Sequence, residues 1–262
     1  MSGFYIGVDG KARKIKGGYI GVDGKARKIK KGYIGVNGVA RLCWSDVDPV
    51  FENNSWEEIA VACQNGNIPD SWDVGDQKTM EIGGVNYAID IIGKNHDDYA
   101  DGSGKAPLTF QLHDCYNTRY NMNNSNSNSG GWRDSVMRNT HLPNIFNLMP
   151  SEVRNLIKEV VKRTGLGNSS STINVTNDKL FLLSEPEVYG SATYSQLDEG
   201  TQYAYYVNGG SKIKHVSGTV NSWWERSPMR ASAAGFCEVY STSYTSTNYA
   251  SNPNGVSFAF CF

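Results

Sequence analysis

The chain has 262 residues, 39 % hydrophobic and 19 % charged, with a net charge of -1 and five cysteines. The hydrophobic share excludes disorder throughout, and the charge balance argues against a nucleic-acid protein as a whole. No apolar run approaches the ~18 residues of a membrane span, and an odd cysteine count without a Cys-x-x-Cys pair argues against a disulfide framework or a zinc site.

The first signal along the chain is an internal repeat. Tyr5-Ile6-Gly7-Val8-Asp9-Gly10-Lys11-Ala12-Arg13-Lys14-Ile15-Lys16 returns unchanged from Tyr19 to Lys30, and returns altered as Tyr33-Ile34-Gly35-Val36-Asn37-Gly38-Val39-Ala40-Arg41. Asp-Gly and Asn-Gly accept positive φ at both central turn positions, so each unit of 1–44 is predicted to be a β-hairpin with a type I′ turn. A lone hairpin cannot bury a core, so stacking of units or of chains is expected, with a homo-oligomer, a trimer by preference, as the natural solution. Residues 1–44 carry 10 Lys+Arg against 2 Asp, a net of +8, and the remainder carries 15 against 24, a net of -9. Lys and Arg alternating with Ala and Ile on a strand make a solvated face, a better reading than nucleic-acid binding. The first 16 residues are polar and basic, so no secretory signal is expected there.

Residues 45–72 read as a connector with one short helix. Ser55 is its expected N-cap, Glu57 and Glu58 sit in its first turn, and Asn65-Gly66 breaks it. Residues 73–262 then read as one α+β domain. A hairpin is predicted over 79–92 around Gly83-Gly84, a strand over 108–112, a polar loop over 121–131 and a short helix over 132–138. Over 151–164, Val153, Leu156, Ile157, Val160 and Val161 share the 3/4 spacing of a helix face, with Ser151 as N-cap. Residues 179–183 read as an apolar strand, ended by Pro186. Glu185-Pro186-Glu187 is similar to the Glu-Pro-Asn tripeptide of calcium-dependent lectins but lacks its Asn.

Three groups of residues invite a chemical reading. His96, Asp97, Asp98 and Asp101 gather an imidazole and three carboxylates in one Gly-containing loop, a donor set that suits Ca²⁺ or another divalent ion; a solvated acidic loop is the commoner use. Cys115 follows His113 and Asp114, but sequence neighbours on a strand point to opposite faces, which argues against a nucleophile with its base. Cys237 and Cys261 read as buried small residues on paired terminal strands. No hydrolase, phosphate-loop or metalloprotease motif occurs.

The stretch 229–254 differs in kind. Of its 26 residues, 14 are Ser, Thr, Tyr or Asn, and none is Lys, Asp, Gln or His. Tyr240, Thr242, Tyr244, Ser246, Asn248 and Tyr249 are the candidate ligand contacts. Tyrosine offers wide contact area at low entropic cost, and small polar neighbours offer adaptable hydrogen bonds. Apolar flanks, Trp223-Trp224 before and Val256 to Phe262 after, suit a fixed platform.

Trp223-Trp224-Glu225-Arg226-Ser227-Pro228, Phe236-Cys237 and Gly255-Val256-Ser257-Phe258-Ala259-Phe260-Cys261 resemble the C-terminal region of variable proteins made by diversity-generating retroelements. So do Lys179 to Val188, Glu199-Gly200-Thr201-Gln202-Tyr203, Gly130-Gly131-Trp132, and Asn95-His96-Asp97-Asp98 with Asp101-Gly102-Ser103-Gly104-Lys105. The resemblance covers about 73–262 and extends to phage tail and minor structural proteins of Gram-positive gut bacteria; the hairpin repeat is similar to the leader of such proteins. It implies a C-type-lectin-like fold, similar to the phage major tropism determinant and more distantly to formylglycine-generating enzymes. It implies no catalysis, a varied surface over 229–254 in which Met229 and Glu238 stay fixed, and scaffold roles for Trp132, Trp223, Trp224 and Arg226, the last paired with a carboxylate such as Glu187. The expected function is a phage tail-tip or fibre protein, carried in the virion beside other tail proteins, that binds a bacterial surface receptor, protein or glycan. The alternatives are an enzyme on the same scaffold, with a deep pocket near Cys115 or His96, and a bacterial surface adhesin.

Overall fold

A computed structural model describes residues 5–8, 10–14 and 18–262. The chain divides into two compact units, one over residues 1–73 with Phe262 and one over 74–261.

The first unit opens with three antiparallel hairpins in a common register. They are β1 (Tyr5–Val8) with β2 (Lys11–Lys14), β3 (Gly18–Val22) with β4 (Lys25–Ile29), and β5 (Lys31–Val36) with β6 (Val39–Ser45). Ile6 faces Arg13, Ile20 faces Arg27 and Ile34 faces Arg41. At the second and third turns Asp23 and Gly24, then Asn37 and Gly38, all have positive φ, as a type I′ turn requires. Asp9, at the first predicted turn, lies outside the described residues. Helix α1 (Trp56–Asn65) follows: Ser55 caps it, accepting from Glu58 N–H, while the Glu58 carboxylate accepts from Ser55 N–H at 2.8 Å. Gly66 ends it in the left-handed conformation. The helix packs on β6, and Phe51 meets the edges of Trp56 and Trp72.

The second unit is α+β, with helices short and sheets small and antiparallel. Its largest sheet has the order β17-β9-β8-β7, from β7 (Gln77–Ile82), β8 (Val85–Lys94), β9 (Leu108–Leu112) and β17 (Ala259–Cys261). Gly83 and Gly84 both have positive φ at the β7–β8 turn. Helices α2 (Gly131–Asp134), α3 (Leu142–Leu148) and α4 (Ser151–Arg154) come next, with a π turn over Met137–His141. Strands β10 (Val160–Gly165) and β11 (Ile173–Asp178) form a pair, followed by α5 (Glu185–Tyr189) and α6 (Ala204–Val207). Strands β12 (Lys214–Val216) and β13 (Thr219–Asn221) form another pair. The last sheet is β14 (Trp223–Pro228), β15 (Gly235–Val239) and β16 (Thr245–Tyr249), with β15 central. Trp132, Trp223, Trp224, Phe110, Phe236 and Phe258 are fully buried at the heart of this unit.

Four local expectations are corrected. Residues 151–164 are not one helix: α4 is a single turn, and the chain then enters β10. The β-branched run at Val160, Val161 and Thr164 finds a partner in β11, and tertiary pairing overrides the helical spacing. Residues 179–183 do not make a full strand, although Phe181 bridges Ala259 of β17 through two backbone hydrogen bonds. Pro186 does not end a strand. It sits in the first turn of α5, where its missing N–H costs nothing, and Ser184 with Glu187 forms a capping box. Cys237 and Cys261 are both buried, but on strands of two different sheets.

Candidate functional site

Strands β15 and β16 and the turn between them carry the tyrosine-rich segment. Tyr240, Tyr244 and Tyr249 are 39, 54 and 59 % exposed. The rings of Tyr240 and Tyr244 stack across the turn, 4.8 Å between centroids. Thr242 is exposed, while Ser246 and Asn248 are half-buried. Asn248 donates to the Glu238 carboxylate at 3.3 Å and accepts from Asn252 at 2.7 Å. Four of the six candidate contacts therefore face outward, and the other two lean on Glu238.

Buried polar groups hold this backbone from beneath. Glu238 accepts from Asn254 at 2.6 Å. Glu185, fully buried on α5, accepts from the N–H groups of Thr193, Tyr194 and Ser195, and from the Thr245 hydroxyl at 2.7 Å. The Tyr189 hydroxyl donates to the Ser243 carbonyl, fixing the turn where Ser243 adopts a positive φ. On the other flank, Asn128 is fully buried and donates to the carbonyls of Ser232 and Gly235. Gly167 presses against it so closely that a Cβ there would meet the Asn128 carbonyl at 1.8 Å. Nothing in the polar run 121–131 marks Asn128 apart from its neighbours; only its contacts do.

A charged network lies deeper. The Arg226 guanidinium donates to both Glu187 oxygens, at 2.5 and 2.9 Å, the carboxylate expected for it, and to the carbonyls of Leu182 and Glu199. Lys162 Nζ donates to Asp97 Oδ1, to Glu187 Oε1 at 3.2 Å and to the Tyr203 hydroxyl at 2.9 Å. Burial alone would raise both carboxyls. The neighbouring cations win, holding Asp97 at about 2 and Glu187 below the usual carboxylate range.

The predicted metal loop does not converge on one point. His96, Asp97 and Glu187 offer donor atoms within 4.8 Å of one another, but Lys162 bridges the two carboxylates where a cation would sit. Asp98 is exposed and pairs with Lys105, and Asp101 accepts from Ser103 N–H in a local turn. The loop buries Asp97 and leaves Asp98 and Asp101 in solvent, which separates carboxylates that the sequence places close together. Cys115 is buried, which pushes its thiol up to about 12. Its neighbours are committed elsewhere, His113 to Asp90 and Asp114 to His215, each at 2.9 Å. Two surface hollows, of 640 and 300 Å³, are lined by neither Cys115 nor His96.

Glu199, fully buried beside this network, has its carboxyl pushed up to about 7 by desolvation, which donors at Ser227 and Gly165 offset only in part. A folded-state value above the unfolded one of 4.5 means that the folded protein binds this proton more tightly. The contribution is present in full below pH 4.5 and is lost as pH rises to 7, at most about 3 kcal/mol. Glu199→Gln is expected to match the parent near pH 4.5 and exceed it at pH 8, read as urea midpoints. Equal midpoints at pH 8 would contradict this.

The molecule thus presents a tyrosine-bearing surface on a backbone fixed by buried ion pairs and carboxylate hydrogen bonds. Residues 108–262, more than half of the chain, match DUF6273, a domain of unknown function, and the chain belongs to that family. No curated protein and no solved structure matches it. Among the described residues no helix is long and apolar enough to cross a membrane.

Proposed function

We propose that this chain is a phage tail-tip or fibre protein that binds a bacterial surface receptor, and that its second unit has the C-type-lectin-like fold of retroelement-diversified variable proteins. One observation carries the reading: Tyr240 and Tyr244 in the turn between β15 and β16, and Tyr249 at the end of β16, stand in solvent above supporting residues that are buried. Solvated aromatic rings on a fixed frame lose little entropy on binding and supply most of the contact energy. Recognition is non-covalent, and the receptor is a protein or a glycan. The hairpins leave Tyr19, Ile20, Tyr33 and Ile34 more than half exposed, surfaces that further copies of the chain would cover. An oligomer joined there multiplies weak single-site binding by avidity.

The direct test is adsorption of the labelled, purified chain to intact cells of the bacterial host. Saturable adsorption that unlabelled chain displaces is the expected result. Adsorption no greater than to unrelated bacteria would remove the proposal.

A further inference from the structure

Lys162, Asp97 and Glu187 are brought together from β10, the loop after β8 and α5, and their side chains are 2–3 % exposed. The Lys162 ammonium lies over the Phe181 ring, 3.9 Å from its centroid. Tyr203, also fully buried, reaches both Asp97 oxygens at 2.9 and 3.0 Å, and its ring stacks on His96. The Thr109 hydroxyl donates to Asp97 Oδ2 at 2.5 Å, and Cys261 Sγ lies 3.6 Å from the same oxygen. An amine and a carboxyl thus touch in a water-excluded, aromatic-lined space. A second carboxylate lies against the amine, and two hydroxyls lie against the carboxyl.

We propose that Lys162 and Asp97 condense to an intramolecular isopeptide bond, with Glu187 moving the protons. The pair rests charged, with Asp97 held ionised by Lys162, and reaction starts from its minor neutral form, in which the ammonium has passed one proton to the Asp97 carboxylate. The Nζ lone pair then attacks Asp97 Cγ. Thr109 and Tyr203 donate to the oxygen that becomes the amide carbonyl, where charge develops. Glu187 Oε1 takes a proton from the attacking nitrogen and returns it to the departing hydroxyl. One C–N bond forms, one C–O bond breaks, one water leaves, and nothing is oxidised or reduced. The charge also balances: Lys162 and Asp97 lose opposite charges, and Arg226 with Glu187 remains a closed pair. Fixed contact between the reacting groups supplies the proximity that a bimolecular condensation lacks. The bond would join residues 65 positions apart, beneath the helix whose Glu185 and Tyr189 hold the tyrosine-bearing turn. This inference does not depend on what that surface binds.

The test is the mass and tryptic map of the purified full-length chain, denatured and reduced. The expected intact mass is one water below the sequence mass. The expected map contains a branched peptide that joins 95–105 to 159–163, uncut after Lys162. Asp101-Gly102 can also lose water by closing a succinimide, so the branched peptide decides and the mass alone does not. Lys162→Arg is expected to remove the branch; should that variant not fold, the map of the unaltered chain stands by itself. Recovery of linear 95–105 and 159–162 from folded protein, with no branched product, would overturn the proposal.

Discussion

Replacing Arg226 with Met is expected to cost the second unit about 3–5 kcal/mol, the range found when one partner of a buried ion pair is removed. The guanidinium is fully buried and satisfies both Glu187 oxygens and the carbonyls of Leu182 and Glu199. Met fills much of the same volume but donates nothing, so Glu187 is left with Lys162 and the Ser184 N–H, and the carbonyls of Leu182 and Glu199 each lose a donor. The loss should appear as a lower urea midpoint with little change in slope. Arg226→Met combined with Glu187→Met should recover part of it, because no carboxylate then stays buried beside a missing cation. A single-variant cost below about 1 kcal/mol would show that this network does not organise the fold.

Changing Tyr240, Tyr244 and Tyr249 together to Ala is expected to lower adsorption to host cells at least a hundredfold and to leave the melting temperature nearly unchanged. Interface tyrosines that act as anchors contribute about 2 kcal/mol each, and three of them exceed the margin that a hundredfold loss requires. Stability should hold because the rings are 39–59 % exposed and lie outside the core. The Tyr240–Tyr244 stack disappears with the rings, at a cost of about 1 kcal/mol at most. Undiminished adsorption would place the binding surface elsewhere. Reduced adsorption with a collapsed melting temperature would make the rings structural.

The local grammar of the chain was legible where one or two residues decide the backbone. Asp23-Gly24, Asn37-Gly38 and Gly83-Gly84 marked their turns, and Ser55 marked the start of α1. Where distant partners decide, the sequence misled: 151–164 has a helical spacing, yet β11 supplies the pairing that makes its second half a strand. Leu180 to Leu183 is apolar because it is buried, and burial says nothing of hydrogen-bond pattern. The tyrosines of 229–254 could be read as a surface from composition, because a solvated aromatic segment has few other uses. The groups that hold that surface could not. Asn128 is one Asn among many, and Glu185 looked like part of a failed lectin tripeptide. Asp97 and Lys162 lie too far apart in sequence for any motif to join them, so the acidic loop suggested a metal ion where the fold supplies a lysine instead.

If the backbone of 229–254 is held still while its outward side chains are free to differ, variation among relatives must be confined to those side chains. The most direct measurement is the sequence of this locus in many independent isolates, together with the adjoining DNA. A reverse transcriptase gene and a near-copy of the 3′ end are expected nearby, with replacements crowded at Tyr240, Thr242, Tyr244 and Tyr249. Glu238, Arg226, Trp223 and Trp224 should be constant. Replacements spread evenly along the chain, or falling on Glu238 and Arg226 as often as on Tyr240 and Tyr244, would contradict this confinement.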